Sequence, residues 1–106
     1  MTGEQGFELH PGAADDSTEI WEFIAEDCPL SAKRVREEIL DAIRKLAIFP
    51  QQRHTRSEIT SRPLRFQTVR NFLIAYAPDE EPIVVIAVVH GRRSPRIMAA
   101  ILRGRR

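Results

Sequence analysis

Ile83-Val84-Val85-Ile86-Ala87-Val88-Val89-His90-Gly91-Arg92-Arg93 is the stretch from which the rest of the chain can be placed. Its first seven residues are apolar on both alternations, and all but Ala87 are β-branched. A strand with no polar side is covered on both faces, so this one is central. It is also the longest apolar run, and far short of the ~20 residues that cross a membrane as a helix. Upstream, Pro78-Asp79-Glu80-Glu81-Pro82 is a turn cluster. Before it lie two more strand signals, Leu64 to Thr68 and Phe72 to Tyr76, with Asn71 at the turn between them. Tight turns make these three strands an antiparallel meander. Downstream, Ser94 is placed to cap a last short helix, Pro95 to Leu102, that ends at Gly104.

Towards the N-terminus the apolar period changes. Phe7-Glu8-Leu9-His10 alternates as a short half-buried strand. Pro11 suits the first turn of a helix, Asp15 and Asp16 sit early in it, and Ala13, Ser17, Ile20 and Ile24 share one side, flanked by Trp21 and Phe23. Pro29 ends that helix near Asp27. With Ser31 as cap, Ala32, Val35, Ile39, Ala42 and Leu46 form a second apolar stripe, widened by Leu40, Ile43 and Ala47, up to Phe49-Pro50. A link of about three residues makes the two helices an antiparallel hairpin. Gln51 to Arg62 is a polar loop. The predicted order is β-α-α-β-β-β with a C-terminal helical tail. This is an α+β fold in which a helical hairpin packs on a small antiparallel sheet, in one domain over residues 1–106. The first strand is expected to return beside a later one.

Composition supports one modest core: 106 residues, 42% hydrophobic and 29% charged. Those values exclude membrane and disordered classes. The net charge of +1 hides a split. Residues 1–52 carry 11 acids and 5 bases, whereas residues 53–106 carry 4 acids and 11 bases. Either the halves neutralise each other across the fold, or a basic face is left for an acidic partner. Met1 to Phe7 has neither the basic nor the apolar region of a signal peptide. The lone Cys28 excludes an intrachain disulfide and fits a cytoplasmic location. It is read as an incidental thiol whose neighbouring carboxylates raise its pKa.

Little here looks catalytic. No glycine-rich phosphate loop, nucleophile elbow or metal-ligand spacing occurs, so no cofactor and no metal are expected. Asp15-Asp16, Glu37-Glu38 and Glu80-Glu81 read as solvated pairs, and His10 and His54 as surface residues. The informative turn follows the central strand. His90 is the only side chain there of a type whose unperturbed pKa lies near neutrality, and Arg92 and Arg93 offer planar forks for phosphate or carboxylate. With Arg65 and Arg70 from the neighbouring strand region, they are expected to form one basic patch. Alternatively, the arginines neutralise the acidic first helix.

Three segments resemble the ParE branch of the ParE/RelE superfamily of bacterial toxin–antitoxin toxins. They are Leu9-His10-Pro11-Gly12-Ala13-Ala14-Asp15-Asp16 with Ile20 and Phe23-Ile24; Val69-Arg70-Asn71-Phe72-Leu73-Ile74-Ala75-Tyr76; and Val85 to Arg93. The resemblance spans roughly residues 7–95. It implies a toxin that binds DNA gyrase and is neutralised in a hetero-oligomer by a ParD-like antitoxin wrapped on its groove and sheet, with no specific DNA binding by the toxin alone. RelE-like members instead cleave mRNA on the ribosome. They often carry Arg after the aromatic residue of the penultimate strand, where this chain has Leu73, and Tyr or His-Tyr in the tail, where it has Ile97 to Leu102. A metal-free nuclease must activate the 2′-OH and protonate the leaving oxygen. His90, Arg93 and Arg65 make a poor set for that, so no catalytic residue is assigned. A toxin fold that has lost toxicity is a third reading. Trp21, Ile24, Leu40 and Ile43 exceed what one thin sheet covers and are expected to contact the antitoxin.

Overall fold

The computed structural model describes residues 6–52 and 54–105. The N-terminal reading at Met1 to Gln5 lies outside the described residues. The elements are β1 (Phe7–Leu9), α1 (Pro11–Asp27), α2 (Pro29–Ile48), a 3-10 turn at Pro50–Gln52, β2 (Arg65–Val69), β3 (Phe72–Ala77), β4 (Ile83–His90) and α3 (Pro95–Arg103). The architecture is α+β, with a four-stranded mixed sheet in the order β1-β4-β3-β2. β2, β3 and β4 form the expected antiparallel meander, and β1 returns parallel to β4, from Phe7↔Ile83 to Leu9↔Val85.

β4 is covered on both sides because two cores meet on it. The helical hairpin packs on one face through Val35, Ile39, Ile43 and Leu46, which reach Ile74, Tyr76, Val85 and Val88. On the other face Met98 and Leu102 of α3 join Phe66, Leu73, Ala87 and Val89. The alternation is reset by a bulge. Ala75 stands opposite Ala87, but Tyr76 stands opposite Val85, which leaves Ile86 as the extra residue. Ile83 and Val85 therefore face the hairpin before the bulge and Val88 faces it after, while Ile86 and Ala87 both face α3.

The hairpin link is tighter than expected. One residue, Cys28, separates the helices, and α2 begins at Pro29 rather than after Ser31. Proline at the first helical position lacks only an N–H that would have had no helical partner, so no side-chain cap is needed there. Cys28 donates its N–H to the Ile24 carbonyl and accepts from Ala32, ending one helix and starting the next. Asp15 and Asp16 fall beyond the first turn of α1, which is capped instead by His10, whose Nδ1 accepts from the Gly12 amide at 2.9 Å.

The Cys28 thiol lies below its ordinary value of 9.0. The Ser31 hydroxyl is the main cause, followed by the Ser31 amide; burial opposes, and the Leu30 amide and Arg34 add to the lowering. Donors at the start of α2 thus outweigh the neighbouring carboxylates that the sequence placed beside it. Native Cys28 is expected to react with iodoacetamide several-fold faster near pH 7.5 than in urea-unfolded chain, with Ser31→Ala narrowing the gap. Equal rates in both states, measured by mass spectrometry, would refute this.

Candidate functional site

The turn after β4 is held by its own backbone. The Gly91 amide donates to the Asn71 carbonyl at 2.7 Å, and a Cβ at Gly91 would stand 3.2 Å from that oxygen, so glycine permits the close approach. The Arg93 amide donates to the His90 carbonyl at 3.1 Å. The Arg92 amide donates to His90 Nδ1 at 3.1 Å, and the ring meets Phe72 edge-on at 5.6 Å. His90 is thereby fixed as part of the turn. Ser94 Oγ accepts from the Ile97 amide and starts α3 as expected. Arg92, Arg93 and Arg96 are exposed, and none is in an ion pair among the described residues.

Arg70 stands at the adjacent β2–β3 turn with φ 52°, a left-handed backbone that favours glycine. Its guanidinium donates to both Glu38 oxygens at 2.6 Å. This bond holds the Glu38 carboxyl below its ordinary 4.5 and raises Arg70. Its contribution is complete above the unfolded carboxylate range and is lost as pH falls through the lowered value.

The five-residue patch is therefore only partly assembled. Arg70, His90, Arg92 and Arg93 share one end of the sheet. Arg65 does not: it pairs with Tyr76, while Val69 pairs with Phe72 and Phe72 with His90. Four residues of strand, roughly 13 Å, separate Arg65 from that end. Arg70 is committed to Glu38, and the charge is carried by Arg92, Arg93 and Arg96. The sequence reading missed Arg96, although Pro95 starting a helix puts it within a turn of Arg93.

A cleft of 560 Å³ opens beside this turn. Arg70, His90 and Arg93 line it, as do the acids Asp16 and Glu19, with Ile24, Phe72 and Val88 among its apolar walls. A second cleft, of 340 Å³, is lined by Trp21, Leu40, Leu9, Ser17 and Arg36. The four residues expected to meet a partner are thus divided: Ile24 in the first cleft, and Trp21 and Leu40 in the second. Ile43 is in neither. It is 1% exposed in the hairpin core, taking the place that the sequence reading gave to Ala42, which is half-buried. The Arg36 guanidinium lies 5.0 Å from the Trp21 ring, and the covered Trp21 Nε1 has no hydrogen-bond partner among the described residues. Phe23 and Leu30, at the hairpin tip, are 72% and 68% exposed. Among the described residues no group of three His, Cys, Asp or Glu could hold a metal ion, and no helix is long and apolar enough to cross a membrane.

The sequence profile of the ParE toxin of type II toxin–antitoxin systems, parDE, matches residues 7–95, from β1 to the first residue of α3. The chain belongs to the ParE toxin family. It is 30% identical over 103 residues to Toxin ParE2 of Mycobacterium tuberculosis strain CDC 1551 / Oshkosh, covering 92% of this chain and 91% of the relative. The Toxin ParE2 of strain ATCC 25618 / H37Rv matches equally. The matched span includes the turn from His90 to Arg93 and the residues of both clefts except Ile101. As a member of a toxin–antitoxin family, this ParE-type chain has an antitoxin as the other half of its pair.

Proposed function

We propose that this chain arrests growth by docking on DNA gyrase through the Arg92–Arg93 turn and is silenced by a ParD-like antitoxin, performing no covalent chemistry itself. The observation that carries the reading is the state of His90. Its Nδ1 is an acceptor for the Arg92 amide and its ring packs on Phe72, so this imidazole serves the turn. Of the acids nearby, Glu38 is bonded to Arg70 and Asp16 to Arg105, which leaves Glu19 as the other carboxylate lining the cleft. Arginines alone bind and position anions. Three of them crowd the start of α3, whose positive end disfavours cations. A local rule broken in this way is expected where function requires it.

Antitoxin contacts are assigned to Trp21, Ile24 and Leu40, with Arg70 and His90 at the rim. Ile43 supports them from the core and makes no contact. An acceptor from the antitoxin would satisfy the Trp21 indole. Inducing the toxin without its antitoxin, with plasmid supercoiling and transcript integrity followed in parallel, tests the reading. Relaxed plasmid with intact transcripts is expected, together with blocked supercoiling by purified gyrase. Cleaved transcripts with normal supercoiling would transfer the chain to ribosome-dependent mRNA endoribonuclease action.

A further inference from the structure

β1 ends at Leu9↔Val85, and beyond Val85 no strand among the described residues lies along the outer edge of β4. A side-chain pair occupies that edge. Arg105, two residues past α3, donates to both carboxylate oxygens of Asp16 on α1, one of them at 2.7 Å. It also donates to the Ile86 carbonyl at 3.2 Å, and Asp16 accepts from the Val88 amide at 2.9 Å. These are backbone groups that a strand laid along this edge would use. The two side chains are only 17% and 15% exposed. Their pairing joins elements on opposite faces of the sheet.

Everything around Arg105 fixes its position. Arg62 donates to the carbonyls of Leu102 at 3.0 Å and Arg105 at 2.6 Å, anchoring the tail. Gly12 makes room for the side chain, since a Cβ there would stand 2.3 Å from Arg105 Nε. The helix being held has a light seat of its own. Met98 and Leu102 are its only buried residues, and a void of 10 Å³ lies beneath it among Phe66, Leu73, Ala87 and Val89.

We propose that the Asp16–Arg105 pair is a latch across the open edge of β4 that keeps α3 docked. When it opens, it releases the Ile86 and Val88 edge groups, and α3 lifts from the sheet face it covers. Local opening of this kind is read by amide exchange. In the full-length chain, Arg105→Gln and Asp16→Asn are each expected to speed exchange across residues 95–103 by about tenfold or more, because a covered charge-assisted bond is lost. Exchange across residues 29–48 is expected to stay unchanged, and the double variant to be no faster than either single one. Gly12→Ala is the independent arm. It pushes the Arg105 side chain away, leaves both charges in place, and has favourable helix propensity. It is expected to accelerate the same segment. Unchanged exchange over 95–103 in Gly12→Ala and Arg105→Gln would overturn the latch, and so would acceleration spread equally over α2.

Discussion

Tyr76→Ala is expected to cost about 3–5 kcal/mol of stability, the range for removing a buried aromatic side chain. Tyr76 is fully buried in β3, inside the core that the helical hairpin closes. Its hydroxyl also donates to the Pro50 carbonyl at 2.7 Å, tying the end of α2 to the sheet. Tyr76→Phe keeps the ring, removes the hydroxyl and with it the bond to Pro50, and is expected to cost about 1 kcal/mol. Domains of this size are stable by roughly 5–15 kcal/mol, so the alanine variant loses between a fifth and all of the total. At about 4–8 °C per kcal/mol, its melting temperature falls by at least ~12 °C, against a few degrees for phenylalanine. Urea unfolding of both variants decides the matter, with the slope unchanged if the native state keeps its packing. An alanine variant within about 1 kcal/mol of the parent would mean that the core closes without this side chain.

What could be read from the chain was whatever local pattern controls. Seven apolar residues from Ile83 to Val89 implied a strand covered on both faces, and the helical hairpin and α3 supply those covers. Proline and serine placed the ends of α1 and the start of α3 for steric and hydrogen-bonding reasons confined to one turn. The bulge at Ile86 was hidden because apolar residues on both sides of it make either phase look equally buried. The choice between Ala42 and Ile43 for the core was a matter of helix rotation, and one residue turns the stripe by about 100°.

The candidate site divides along the same line. The turn from His90 to Arg93 follows its strand in sequence, so its exposure was legible. Placing Arg65 beside it required the β2–β3 register, which puts Arg65 at the far end of the strand. The charge split was informative in both of its readings. Arg70–Glu38 and Arg105–Asp16 neutralise basic and acidic halves across 32 and 89 residues of sequence, while Arg92, Arg93 and Arg96 remain outside such pairs among the described residues. No periodicity announces a contact between residues 16 and 105.

Reversing both charges of the turn, Arg92→Glu with Arg93→Glu, is expected to abolish growth arrest on induction without antitoxin. If the turn is the docking surface, each reversal replaces attraction with repulsion, at about 2 kcal/mol apiece for a central charged contact. Together they weaken target binding by roughly a thousandfold. Folding should survive. Both side chains are exposed and free of ion pairs among the described residues, and the hydrogen bonds at these two positions are made by backbone amides. Acids at the start of α3 also suit its positive end, so the variant should melt no lower than the parent. Arg65→Glu, at the other end of β2, controls for charge alone and should leave arrest and supercoiling inhibition unchanged. Salt adds a second check: inhibition by the parent should weaken as ionic strength rises, while the residual inhibition by the double variant should respond less. Full inhibition by a folded Arg92→Glu/Arg93→Glu protein would remove this turn from the target interface and leave the two clefts, with Trp21 and Ile24, as the surface to test next.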